Sequence, residues 1–443
     1  MSVQGTSLMG RALRGSALTA GSYVITQGLR LGSNLILTRL LFPEAFGLMA
    51  LVSVVLVGLQ MFSDTGIGPA ISRSARGDDP AFLDTAWTIN LGRGVLLWLM
   101  ACALAWPLAA LWEAPELRAI LPVAGLTLLV SGFNPTRIDT ANRHLALGRL
   151  TALDLVAQAA GILTMVALAA IWPTVWALVW GALAGSVAKL VLTWAGLPGQ
   201  VNRLCWDRAA GHELLHFGKW IFLSTLCGFL LVQGDKAILG HYLTLPQLGI
   251  YNTGFFLASF PALLAGVVVS RVMIPIYRAR AEGQGSARLE RARWALTGGV
   301  VLTLAVLALI GPPLVAFLYD DRYLAAGAIL TAVALVQMPG VVGMTYDQAA
   351  LAAGDGRGYF ALIAARAAVQ TLAFLAGAHW AGLGGALAGQ GLAAVLVHPL
   401  IIRLARRHGV WDMRHDAAMF ALVAVLVGPI LLLHGADLAV LRR

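Results

Sequence analysis

Charge is scarce in this chain: Asp, Glu, Lys and Arg together make up 12% of its 443 residues, about half the share of an average soluble domain. That scarcity excludes a soluble globular protein. Polar stretches long enough to fold by themselves are missing as well, so no soluble catalytic domain is expected. Only three cysteines occur, Cys102, Cys205 and Cys227, two in apolar runs and one in a short connection, without the spacing of metal ligands or of a paired disulfide. No metal and no other cofactor are expected. What abounds is apolar sequence, 59% of the residues, in runs of about 20 that are each long enough to cross a hydrocarbon core of ~30 Å. The runs recur from Gly15 to Leu433. An all-α polytopic membrane protein follows, and its net charge of +10 is a matter of topology rather than of nucleic-acid binding.

Run length, Gly and Pro breaks and charge clusters place helices near 17–38, 46–68, 86–111, 119–141, 150–172 and 174–196. A second set falls near 217–240, 248–275, 295–318, 324–350, 359–379 and 381–402, with one further run near 416–433. The first apolar run lacks a small-residue cleavage site and reads as a retained helix. Alternate connections carry the arginines, among them Arg73 with Arg76, Arg143 with Arg149, and Arg403 with Arg406 and Arg407. The intervening ones hold Arg39, Arg118 and Arg322. This positive-inside bias puts the N-terminus in the cytoplasm.

Fragments recur between the two sets. GALAG begins at Gly181 and at Gly385, DTANRHLALGR from Asp139 aligns with DQAALAAGDGR from Asp347, and the region of Gly47 matches that of Gly249. Their common order, at offsets of 202 to 208 residues, indicates parallel repeats with a substrate path between them. Residues 1–200 form the first six-helix lobe, 201–410 the second, and 411–443 an additional C-terminal segment and tail.

The stretch SYVITQGLRLGSNLILTRLLFPEAFGLMALVSVVLVGLQMFSDTGIGPAISR and the later GDKAILGHYLTLPQLGIYNTGFFLASFP resemble bacterial polysaccharide repeat-unit flippases, in the superfamily that also holds multidrug and toxin extrusion transporters and lipid II flippases. The resemblance covers roughly the first 405 residues. It implies two pseudo-symmetric six-helix lobes around a central cavity in the bacterial inner membrane, flipping a lipid-linked oligosaccharide, an O-antigen, capsule or exopolysaccharide unit, by alternating access. Its partners would be that substrate, membrane lipids and the polysaccharide polymerase machinery. The run from Ala417 to Leu433 gives thirteen spans, where members usually have twelve or fourteen.

Polar residues inside spans are the candidates for a site. Ser22, Thr26, Arg30 and Asn34 recur every four residues of the first helix and draw a polar stripe along one face. Arg30 sits roughly 20 Å into the core, too deep for an easy reach to the interface. Its planar fork of donors suits the carrier's diphosphate; the competing reading is an ion pair with a carboxylate such as Asp235. Asp235 itself is the cavity-facing candidate of the seventh helix, for transport or for a structural pair, whereas Lys236 snorkels. Arg93, Lys189 and Arg366 lie near span ends and read as snorkelling too, and Asp154 with Gln158 reads as helix packing. Asp64 and Arg271 fall at nearly equivalent positions of the two lobes and make a candidate cytoplasmic gate, against pairing of each within its own lobe.

Other functions fit less well. Drug extrusion predicts acidic groups rather than an arginine at mid-membrane in the first lobe. An integral-membrane glycan polymerase or ligase needs acceptor chemistry on a long outer loop, and the outer connections here are short, so an enzyme is not expected.

Overall fold

The computed structural model describes residues 8–63, 66–144, 146–218, 221–281 and 286–442. Among them there is no strand. The chain divides into two compact units, Met1–Leu226 and Cys227–Arg443.

The first unit contains α1 (Leu8–Leu40), α2 (Pro43–Phe62), α3 (Ile67–Arg73), α4 (Pro80–Leu111), α5 (Leu117–Gly132), α6 (Arg137–Arg143), α7 (Leu147–Ile171), α8 (Val175–Gly196) and α9 (Arg208–Gly218). Local chemistry sets several of these boundaries. Pro43 and Pro80 stand in the first turns of α2 and α4, where a missing N–H costs nothing. Asp79 caps α4 by accepting from the Ala81 N–H at 3.1 Å. Helices α5 and α6 are one apolar stretch bent by 58°. The chain after α8 stays with this unit: Asn202 Oδ1 accepts from the Thr136 N–H at 3.0 Å, and Arg76 bridges Asp79 and Asp207, each at 2.7 Å.

The second unit begins within α10 (Ile221–Tyr242) and continues with α11 (Leu245–Ala281), α12 (Ser286–Leu318), α13 (Ala325–Gly343), α14 (Asp347–Ala352), α15 (Gly356–Arg407), α16 (Met413–Leu433) and α17 (Gly435–Ala439). Helix α15 is two helices joined at a kink, because Ala381 and Gly382 leave helical geometry and Gly382 takes φ +59°. Only glycine adopts that region without strain. Apart from the short α3 and α9, the order of elements therefore repeats: a helix, a second helix, a long third, a fourth followed by a short helix, then two antiparallel helices. The neighbours repeat too, since α5 packs on α4 and α8 as α13 packs on α12 and α15. Asp139 lies in the short helix α6 and Asp347 opens the short helix α14, the same place in each order.

Among the described residues, nine helices are long and apolar enough to cross a membrane, ten if α5 and α6 make one span. The structure is that of an all-α, multi-pass membrane protein.

Small residues let the two halves of α15 meet. A Cβ at Gly389 would drive into the Ala373 carbonyl, and one at Gly377 into the carbonyl of Gly385. Close backbone approach of this kind is how helices associate in lipid, where no hydrophobic force pushes them together. Gly389→Val is expected to destabilise the unit by about 1–3 kcal/mol, the usual cost of overpacking, while Gly428→Ala on α16, which meets only open space, leaves stability unchanged. Thermal unfolding of the two variants in detergent checks this, and equal midpoints would contradict it.

The N-terminus of α15 carries a pH-sensitive cap. Asp355 accepts from the Gly358 N–H at 2.9 Å, with Arg407 and His408 close by. The Gly358 N–H first, and then the Arg407 charge and His408, hold its carboxyl below the ordinary value of 3.8. A lowered pKa means that the stabilisation is complete above that ordinary value and is lost as the pH falls through the depressed one. Protection of the Gly358 amide against hydrogen exchange is thus expected to hold down to about pH 4 and to fall below it; Asp355→Ala should lack it throughout.

Candidate functional site

In the first unit, α1, α7 and α8 enclose a groove of about 630 Å³. Its polar wall follows from helical spacing. Thr26 and Arg30 are four apart on α1, and Asp154 and Gln158 are four apart on α7, so each pair shares one face. Lys189 of α8 completes the wall. The backbone geometry is fixed at two points. Gln158 donates from Nε2 to the Thr26 carbonyl at 3.1 Å, which fastens α1 to α7. Helices α7 and α8 touch at Gly161, where a Cβ would come within 3.0 Å of the Gly181 carbonyl oxygen and of Gly185 Cα.

The groove holds two cations and one carboxylate. Lys189 Nζ stands 3.0 Å from Asp154 Oδ1, so Lys189 is paired within the groove rather than extended to an interface. Arg30 is exposed to the groove, and its guanidinium has no hydrogen bond or ion pair among the described residues. One unneutralised guanidinium beside a balanced pair gives the groove a net positive charge. Ser33, not Asn34, is the third α1 residue in the wall; Asn34 accepts from the Thr38 hydroxyl at its backbone carbonyl, at 2.9 Å. The side chain of Ser22 lies outside the described residues.

The remaining candidates lie elsewhere. Asp235, on α10 of the second unit, is half-buried and accepts at Oδ2 from the hydroxyl of the fully buried Tyr251 at 2.7 Å. Lys236 points its ammonium at the Phe255 ring, 5.7 Å from the centroid. Arg271 is an exposed residue of α11 with interactions of its own. Asp64 lies outside the described residues, so the gate pairing with Arg271 stays an expectation.

One pair had no signal as a pair in the sequence. Arg366 meets Asp347 through two contacts, Nη1 to Oδ2 at 3.0 Å and Nη2 to Oδ1 at 3.4 Å, instead of reaching for an interface. The recurrence around Asp139 and Asp347 marked the acid but not its partner 19 residues on. Among the described residues no group of three His, Cys, Asp or Glu side chains is placed to hold a metal ion.

The chain is similar to known proteins in sequence and in fold. Residues 36–328 match a protein family described as polysaccharide biosynthesis protein, well over half of the chain. The chain is 22% identical over 272 residues to the lipopolysaccharide biosynthesis protein WzxC of Escherichia coli (strain K12), covering 61% of this chain and 55% of that one. It is 23% identical over 283 residues to the succinoglycan biosynthesis transport protein ExoT of Rhizobium meliloti (strain 1021), covering 64% and 56%. The matched region thus spans a little over half the length of these curated relatives. Among solved structures, the inward closed conformation of the lipid II flippase MurJ superposes with a TM-score of 0.75 at 12% identity, over 93% of this chain and 91% of that one. At that identity the likeness is one of fold.

Proposed function

The chain belongs to the polysaccharide biosynthesis protein family, and on that premise we propose that it flips a polyprenyl-diphosphate-linked oligosaccharide across the bacterial inner membrane by alternating access, for export of a surface polysaccharide. The observation that carries this reading is the guanidinium of Arg30, which has no hydrogen bond or ion pair among the described residues and faces the groove of the first unit. A diphosphate is the anionic part of such a lipid, and a guanidinium offers it two parallel donors where an ammonium offers a point charge. Thr26, Ser33 and Gln158 add hydrogen-bonding groups beside it, and Lys189 adds a second cation already balanced by Asp154. Nothing in this reading requires a bond to be made or broken, so the chain acts as a transporter rather than an enzyme.

The positive-inside pattern of the loops supports a cytoplasmic N-terminus, so that the substrate is loaded from the side on which it is made. Asp235 and the pairing of Asp64 with Arg271 belong to this proposal as further candidates, Asn34 giving way to Ser33 in the groove wall, with membrane lipids and a polysaccharide polymerase as neighbours. Drug extrusion is the weaker reading, because an arginine with no ion pair among the described residues repels the cationic compounds such transporters carry.

The test is a flipping assay in proteoliposomes with defined lipid-linked sugars. Inner-leaflet substrate is expected to become accessible from outside faster than in protein-free vesicles. Movement of a cationic dye without movement of any lipid-linked sugar would overturn the reading.

A further inference from the structure

The second unit holds a polar cavity that the site above does not use. Two adjoining hollows of about 300 and 180 Å³ share Gln337, Gly340 and Arg366 as common wall. The larger lies at the lower end of the size range of small-ligand pockets, roughly 300–1,000 Å³. Four glutamines from separate elements converge there: Gln337 of α13, Gln348 of α14, and Gln370 and Gln390 from the two halves of α15.

The electrostatics of this cavity differ from those of the first unit's groove. Its one cation, Arg366, is matched by the nearly buried Asp347 in a two-contact pair, so the lining carries no net charge. An anionic headgroup gains little from such a wall. An acyl or polyprenyl chain gains less, since it would cover amides without satisfying them.

The amides are also under-used. Gln337 donates to the Ser259 hydroxyl at 3.3 Å. The side-chain oxygens of Gln348 and Gln390 are buried and have no partner among the described residues. Polar groups left this way inside a membrane-spanning unit are costly and point to a ligand or a role. A structural ion pair accounts for Asp347 and Arg366, but it does not account for four glutamines gathered around empty volume.

A ligand that fits must be neutral, small in cross-section and able both to donate and to accept hydrogen bonds. Sugar hydroxyls do both, and an amide answers each with its carbonyl and its NH2. We propose that this cavity is a saccharide subsite, in which Gln337, Gln348, Gln370 and Gln390, set around the neutral Asp347 and Arg366 pair, bind hydroxyls of the carried glycan. The proposal rests on the transporter reading above.

The test compares binding of two kinds of probe to the purified full chain in nanodiscs. One is undecaprenyl diphosphate without sugar; the other is the same lipid bearing a single glucose, galactose or N-acetylglucosamine. Wild-type protein is expected to bind at least one glycosylated carrier ten-fold or more tightly than the bare carrier. The Gln337→Leu, Gln390→Leu double variant should lose that preference and keep the bare-carrier affinity, which serves as its folding control. Should the double variant also lose the bare carrier, Gln370→Leu repeats the comparison with the same expectation. Equal affinities in the wild type, or a preference that survives in the variant which still binds the bare carrier, would overturn the subsite. Wild-type protein that binds a glycosylated carrier but not the bare one would instead overturn the diphosphate assignment and leave the subsite standing.

Discussion

Replacing Arg30 with alanine is expected to lower translocation of a polyprenyl-diphosphate-linked sugar to the rate of protein-free vesicles, with folded protein recovered in wild-type amounts. The two halves of that expectation have separate physical grounds. Stability should survive because the guanidinium bonds to nothing among the described residues, so its loss orphans no partner. A lone arginine within a span costs at least ~2.5 kcal/mol on insertion scales, and its removal relieves that cost. Transport should fail because the groove keeps only the Lys189 and Asp154 pair, 3.0 Å apart and neutral in sum, with nothing left to draw an anion. Arg30→Lys restores the charge but not the planar fork, and about a ten-fold slower rate is expected of it. The measurement is the time course over which a labelled sugar becomes accessible to an added lectin. Wild-type rates in a well-folded Arg30→Ala protein would remove Arg30 from the substrate path.

Much of the helical framework was legible because lipid imposes one rule on every span. Long apolar runs must be helices, and their lengths are bounded by the bilayer. The expected span near 174–196 is α8 (Val175–Gly196), and the break expected between 379 and 381 is the kink at Ala381 and Gly382. Departures occur where that rule stops applying. Helix α1 starts at Leu8 because the chain continues helical through a polar segment that hydropathy does not register. Helix α9 was missed because it is amphipathic and short, with Ala210 and Leu214 buried beside α3 and α4. The stretch near 119–141 is two helices, since no composition signal announces a 58° bend.

Side-chain partners were legible only where they sit on one face of one helix. Thr26 and Arg30 share a stripe and do share a groove. Lys189 and Arg366 read as snorkelling cations because each has its carboxylate on another helix, Asp154 on α7 and Asp347 on α14. No spacing rule reaches across such gaps. The same blindness hid the glutamines of the second unit, which come from four separate segments and look like ordinary helix-surface residues one at a time.

Asp416→Ala is expected to destabilise the second unit by about 3–5 kcal/mol, the usual cost of removing one member of a buried charged network. Asp416 opens α16, the run that made the span count odd, and it is nearly buried. Its Oδ1 accepts from the Tyr346 hydroxyl at 2.7 Å and stands 3.0 Å from His415 Nδ1. Its Oδ2 accepts from Trp411 Nε1 at 3.0 Å and stands 3.1 Å from His398 Nε2. Arg293 of α12 lies over the Tyr346 ring at 4.4 Å and donates to the Val410 carbonyl at 2.9 Å, while Thr297 meets His415 at 2.8 Å. Three elements therefore converge on one carboxylate, and α16 is joined to the core of the unit through it. Alanine would leave two buried imidazoles, a buried phenol and the half-buried Trp411 indole without this acceptor. Asp416→Asn keeps one acceptor oxygen and should cost less; Tyr346→Phe removes the hydroxyl that donates to Asp416 and accepts weakly from the Asp412 N–H at 3.4 Å, and should cost about 1–2 kcal/mol. Asp437→Ala provides the contrast, because its contact with His434 at 3.2 Å involves a half-exposed carboxylate, and such pairs contribute at most ~1 kcal/mol. Equilibrium unfolding of the four variants in mixed micelles should rank them in that order. An Asp416→Ala protein as stable as the Asp437→Ala protein would mean that α16 is held by apolar packing alone and that the carboxylate serves some other purpose.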